Sequence, residues 1–77
     1  MSQHPETKLS LDDIPLAVHG ARIYSIAPCH TGGTYVIAML DGETAETLNH
    51  KPTDQAAIRE AIRLQKRENA KAVREKA

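Results

Sequence analysis

The sequence predicts an α+β fold: a three-stranded antiparallel β-meander followed by one long C-terminal α-helix packed on the sheet. Three observations carry this expectation. Runs rich in β-branched and aromatic residues occupy 22–27 and 34–40. Glycine- and proline-bearing turn signals separate them, at Pro28 to Gly33 and again at Asp41-Gly42. From Ala56 to Ala77 there is no Pro or Gly, and Ala, Arg, Lys, Glu, Gln and Leu dominate.

The elements follow in order. Residues 1–8 are polar and read as a flexible N-terminal tail, leaving 9–77 as a single small domain. Ser10 is placed to cap a helical turn, with Asp13 three residues on as its capping partner. Pro15 disfavours helical geometry at Ile14 and limits that helix to about one turn. Leu16-Ala17-Val18 reads as a short extended segment before Gly20.

Arg22 to Ala27 forms the first strand and ends at Pro28. Gly32-Gly33 supplies the turn, because glycine reaches positive φ without penalty. Thr34 to Leu40 is apolar on both faces, as expected for a central strand. Asp41-Gly42 is a preferred two-residue hairpin turn. Glu43 to Leu48 alternates polar and small residues, which suits an outer strand, and its carboxylates discourage stray edge pairing. Asn49-His50-Lys51-Pro52 is expected to break it. Thr53 or Asp54 then caps the helix, and Asp54 favours the positive end of its dipole.

Along that helix Ile58, Ala61, Ile62, Gln65, Asn69, Ala72 and Val73 share one face. The stripe is apolar enough to bury only as far as Ile62 or Leu64. A helix from Asp54 to Ala77 is about 36 Å long, whereas strands of six or seven residues span about 20 Å. The part beyond Leu64 is therefore expected to overhang the sheet and meet solvent, a second copy or a partner.

Composition bounds the function. The chain has six Ile, six Leu and three Val but no Phe or Trp. Chains of this size bury only about 60% of their unfolded surface, so such a core is marginal without outside support. Cys29 is alone, which excludes an internal disulfide and suits a reducing compartment. The N-terminus lacks the apolar stretch of a signal peptide, and no apolar run approaches the roughly 20 residues that span a bilayer. A cytoplasmic, membrane-free protein is expected.

No catalytic set is legible, and the expectation is not an enzyme. His4, His19, His30 and His50 do not fall, with Cys29, into the paired spacing of a zinc site, so no metal or other cofactor is expected. Thr31-Gly32-Gly33-Thr34 is too short for a phosphate cradle and lacks the lysine that would follow one. Asp12-Asp13 are adjacent, with no fixed separation suited to acid–base work.

Charge is the informative feature. The net charge is zero. Residues 1–50 hold two cationic side chains against six acidic ones, and residues 51–77 hold eight against four. Arg59, Arg63, Arg67 and Lys71 recur every four residues, flanked by Lys66 and Arg74. Like charges at this spacing destabilise a helix by a few tenths of a kcal/mol per pair. Glu60 with Arg63, Glu68 with Lys71, and Lys71 with Glu75 are expected to relieve part of that. The plain reading is a solvated face. The functional reading is a surface for phosphates or carboxylates, which the arginine fork suits.

The run Tyr35 to Glu43 with its Asp41-Gly42 hairpin leads through Thr53-Asp54-Gln55-Ala56-Ala57-Ile58 into a single amphipathic helix. In size and layout this resembles the small anti-CRISPR proteins encoded by phages and other mobile elements. The resemblance implies a small protein-binding inhibitor in the host cytosol. It would occupy a CRISPR effector subunit, within a host protein or nucleoprotein complex, so that target DNA cannot bind or be cut. Two alternatives stand beside it: a nucleic-acid-binding accessory protein using the basic helix, and a homodimeric adaptor joined through the helix overhang or the sheet edge.

Overall fold

The computed structural model describes residues 8–40 and 44–76. Strands β1 (Ile23–Pro28), β2 (Thr34–Met39) and β3 (Ala45–Lys51) form one antiparallel sheet in the order β1-β2-β3, and helix α1 (Asp54–Lys76) packs on it. The expected tail lies outside the described residues except for Lys8, as does the Asp41-Gly42 turn. Leu40 N–H donates to Thr44 O across that turn at 3.0 Å. Among the described residues, no helix is long and apolar enough to cross a membrane.

Strand β3 runs three residues past its expected end. Asn49, His50 and Lys51 pair with Val36, Tyr35 and Thr34. The register shifts between Val36 and Ile37, where Leu48 is the extra residue of a bulge. The bulge lets a polar segment stay in the ladder by turning Asn49 and His50 to the faces their partners need. Polarity alone suggested a break there, and backbone pairing overrides it.

The first turn is tight because Gly33 occupies φ +83°, and a Cβ there would lie 2.6 Å from Lys51 O and 2.7 Å from the His50 ring. Gly32, at φ +113°, faces open space. We expect Gly33→Ala to destabilise the fold by at least about 1 kcal/mol more than Gly32→Ala in urea unfolding, because only the former adds a clash with backbone to the strain. Equal effects would show that β3 does not approach the turn this closely.

Alternation in β2 sets the layers. Thr34, Val36 and Ala38 are buried toward α1, whereas Tyr35, Ile37 and Met39 alternate with them on the other side and are only half-buried. Val36, Ala57 and Ala61 form the core, with Ile14, Tyr24, Ile26 and Leu64 packed against it. Alanines at 57 and 61 allow the helix backbone to lie close to the sheet. At the helix start, Ala56 N–H donates to Thr53 Oγ1 at 3.2 Å, so Thr53 is the cap, while Asp54 Oδ1 accepts from buried Thr34.

The helix is buried further along than its apolar stripe suggested. Gln65 is 1% exposed and Ala72 is also buried. A strap of residues 8–21, including a 3-10 turn at Leu11–Asp13, runs along the helix. It ends in a turn where Ala21 N–H donates to Val18 O at 2.9 Å and Gly20 has φ +91°. Within the 3-10 turn, Ser10 N–H donates to Asp13 Oδ2 at 2.7 Å, the expected capping contact.

Three side-chain amides hold the strap and β1 by gripping backbone at two points each. Gln55 bonds both N–H and C=O of Leu9 at 2.7 Å. Asn69 accepts from Val18 N–H at 3.1 Å and donates to Leu16 O at 2.9 Å. Gln65 accepts from Tyr24 N–H and donates to Arg22 O, both at 2.9 Å. Gln65 Nε2 also reaches Asn69 Oδ1 at 3.1 Å, joining two of the clamps. Buried polar groups are tolerated when bonded in this way.

Candidate functional site

Helical geometry gathers the six cationic residues. At 3.6 residues per turn, Arg59, Arg63, Lys66, Arg67, Lys71 and Arg74 cover about 140° of the circumference, roughly opposite the core-facing Ala57, Ala61 and Ala72. All six are exposed. From Arg59 to Arg74 they extend about 22 Å along the axis, with about 6 Å between steps of the four-residue row. Lys71 and Arg74 also lie toward the negative end of the helix dipole, which offsets part of their mutual repulsion.

One member of the row is engaged within the chain. Arg63 donates to both carboxylate oxygens of Glu60, from Nε at 3.0 Å and from Nη2 at 2.6 Å. That hydrogen bonding holds the Glu60 carboxyl below its ordinary range and pushes the Arg63 guanidinium upward. Lys51 at the end of β3 adds to the effect on Glu60, so it lies beside the cationic face. Sequence reading had placed Lys51 in a strand break and missed it. Only the docking of α1 beside the end of β3 brings it in.

Glu68–Lys71 and Lys71–Glu75 do not form ion pairs among the described residues. Among the described residues the one other bridge is Arg22–Glu46 at 3.7 Å, beside the sheet. Glu68 is half-buried and lines a groove with Gly20, Arg22 and Leu40, because its position falls on the inward side of the helix. Arg59, Lys66, Arg67, Lys71 and Arg74 consequently have no carboxylate partner among the described residues. Their guanidinium and ammonium groups form a row of exposed donors suited to carboxylates or phosphates.

A second cluster forms where β3 passes the first turn. Cys29 Sγ lies 3.0 Å from Thr31 Oγ1, and Tyr35 meets His50 edge-to-face with ring centroids 5.3 Å apart. His50 Nε2 is 2.8 Å from Gly32 O. Hydrogen bonding from Thr31, then from Tyr35, holds the Cys29 thiol down to about 7, and the same contact raises Tyr35. The cross-strand pairing of Tyr35 and His50 depends on the bulge, so no sequence signal announced this grouping. Among the described residues no group of three or more His, Cys, Asp or Glu could hold a metal ion.

The Cys29 environment has a measurable consequence. Thiolate is the form that alkylates, so iodoacetamide labelling followed by mass spectrometry should reach half its limiting rate near pH 7. Thr31→Val should move that midpoint upward by removing the leading donor. A native midpoint in the ordinary thiol range of about 8.5 would contradict the hydrogen-bonding account.

No protein-family model matches this chain, and no curated protein or solved structure matches it.

Proposed function

We propose that this chain is a non-catalytic binding protein that docks the outer face of α1 on an acidic surface of a partner protein and acts by occupying it. The observation that supports this reading is the row of five exposed cations, Arg59, Lys66, Arg67, Lys71 and Arg74, without carboxylate partners among the described residues. Leaving these charges unmatched within the fold costs repulsion that an acidic partner relieves.

A protein target is favoured over nucleic acid by what surrounds the row. Both tyrosines belong to the sheet, Tyr24 against the core and Tyr35 against His50, so neither offers a base-stacking platform beside the cations. The chain as a whole is neutral, unlike dedicated nucleic-acid binders. The likeness in layout to anti-CRISPR proteins supplies the first target class to try, a CRISPR effector subunit.

The test is capture. The tagged full chain, mixed with a purified CRISPR effector complex and separately with host lysate, should retain an acidic protein that is released as salt rises. Retention of DNA or RNA alone, lost steeply with salt, would replace the proposal with the nucleic-acid reading. Retention unaffected by salt would rule out the cationic face as the contact.

A further inference from the structure

The cationic face of α1 has an apolar neighbour. Val73 is 57% exposed, and Leu16 on the strap is 91% exposed, the most open of the large apolar residues described. Asn69 donates to Leu16 O and accepts from Val18 N–H, so the strap is held at this level on both sides of Ala17. Val73 stands about one turn beyond Asn69 on the helix. The exposure of Leu16 is therefore built into the fold by the Asn69 clamp.

Between this apolar edge and the cations lies Ala70. On a helix the neighbours of a position are the residues three and four away on either side, about 5–6 Å from it between Cβ atoms. For Ala70 they are Lys66, Arg67, Val73 and Arg74, and all five residues are exposed. The small Ala70 side chain thus floors a dimple ringed by four longer ones. Its walls are apolar, because lysine and arginine present alkyl stems while their charged heads stay in water. Its rim is cationic at three corners, and none of those cations has a carboxylate partner among the described residues. Ala56, on the same side of the helix, lacks this arrangement, since its C-terminal neighbours are Arg59 and Glu60.

We propose that this dimple binds an acidic peptide segment of the partner through one apolar side chain flanked by carboxylates. The apolar group sits on Ala70, Val73 and Leu16, and the carboxylates meet Lys66, Arg67 and Arg74. The proposal rests on the reading of the outer α1 face as the partner-binding surface, and it names what that face selects. Charge complementarity supplies the anionic part. Charge alone does not choose among acidic chains, whereas an enclosed apolar contact adds preference that salt does not screen.

Geometry sets the spacing. Lys66 and Arg74 are about 12 Å apart along the axis, which is about four residues of extended chain. The carboxylates therefore fall two residues to either side of the apolar one. A phosphate backbone would meet the charged heads and leave the apolar strip uncovered. A helix lying in a lipid interface turns a broad apolar face to it, but the apolar face of α1 is packed on the sheet.

Fluorescence anisotropy of two labelled peptides, EESFSEE and EESSSEE, titrated with the full chain tests this. The phenylalanine peptide should bind at least about 5-fold more tightly, as partial burial of one aromatic side chain gives. Val73→Ser combined with Leu16→Ser should bring the two peptides to the same affinity. Ala70→Gln, which fills the dimple without touching a charge, should do the same. All three positions are exposed, so both variants should remain folded by circular dichroism. Equal binding of the two peptides to the native chain would overturn the dimple and leave the cationic-face reading standing. Binding of neither up to about 1 mM would overturn both. Tighter binding to phosphatidylserine vesicles or to single-stranded DNA than to either peptide would overturn the peptide as occupant.

Discussion

Gln65→Leu should lower the melting temperature by at least about 8 °C, although it removes no charge and nearly preserves side-chain volume. Gln65 is almost wholly enclosed, and its amide is the bonding partner of Tyr24 N–H and Arg22 O. Leucine there leaves a donor and an acceptor without those bonds, at about 1–3 kcal/mol each. The expected loss is about 2–4 kcal/mol, and a domain of this size shifts by roughly 4–8 °C per kcal/mol. The effect should spread, because Gln65 also steadies Asn69, which holds the strap at Leu16 and Val18. Gln55→Leu should cost less, since its amide is less enclosed and grips only Leu9. Thermal melts followed by circular dichroism would measure both. A Gln65→Leu loss under about 0.5 kcal/mol would show that the amide clamp is incidental.

The second large effect concerns binding and should leave the fold intact. Arg67→Glu combined with Lys71→Glu reverses two adjacent steps of the exposed row. Breaking close charge pairs at an interface costs about 2–5 kcal/mol, so partner affinity should fall by at least about 30-fold. Stability should hardly move. The double change turns the Arg63–Arg67 repulsion into an attraction but leaves positions 67 and 71 like-charged and sets 71 against Glu75, each worth a few tenths of a kcal/mol. It also places acidic groups nearer the negative end of the helix, at a similar small cost. Arg63 is a poorer probe, because its guanidinium is engaged by Glu60 and its loss would disturb both functions at once. Capture by the double variant equal to that of the native chain, with an unchanged melting curve, would show that the row is a solvated face.

Residues 22–40 reveal how much local pattern conveys. The strands there appear within one residue of their expected bounds because β-branched content, Pro28 and the paired glycines all act over a few residues. The helix from Asp54 was equally legible, since propensity accumulates over 23 residues without a breaker. The cationic row follows from the same regularity, because a four-residue repeat on a helix stays on one side. All six of its members are exposed, as the spacing implied.

What misled was the inference from side-chain polarity to environment. Gln65 and Asn69 looked too polar for the inner face, and Asn49-His50-Lys51 looked like the end of a strand. Each is accommodated by a backbone partner distant in sequence: Gln65 by β1, Asn69 by the strap, and the β3 segment by β2 through a bulge.

The sequence by itself determined the element order, the meander, the long helix and the placement of its cations, all of which rest on short-range periodicity. Tertiary structure alone decided that the amides of Gln55, Gln65 and Asn69 are structural clamps. It also decided that Arg63 is engaged while Arg67 and Lys71 lack ion-pair partners among the described residues. The physical reason is the same in each case: a polar group's role depends on which donor or acceptor meets it, and those partners lie up to 53 residues away along the chain.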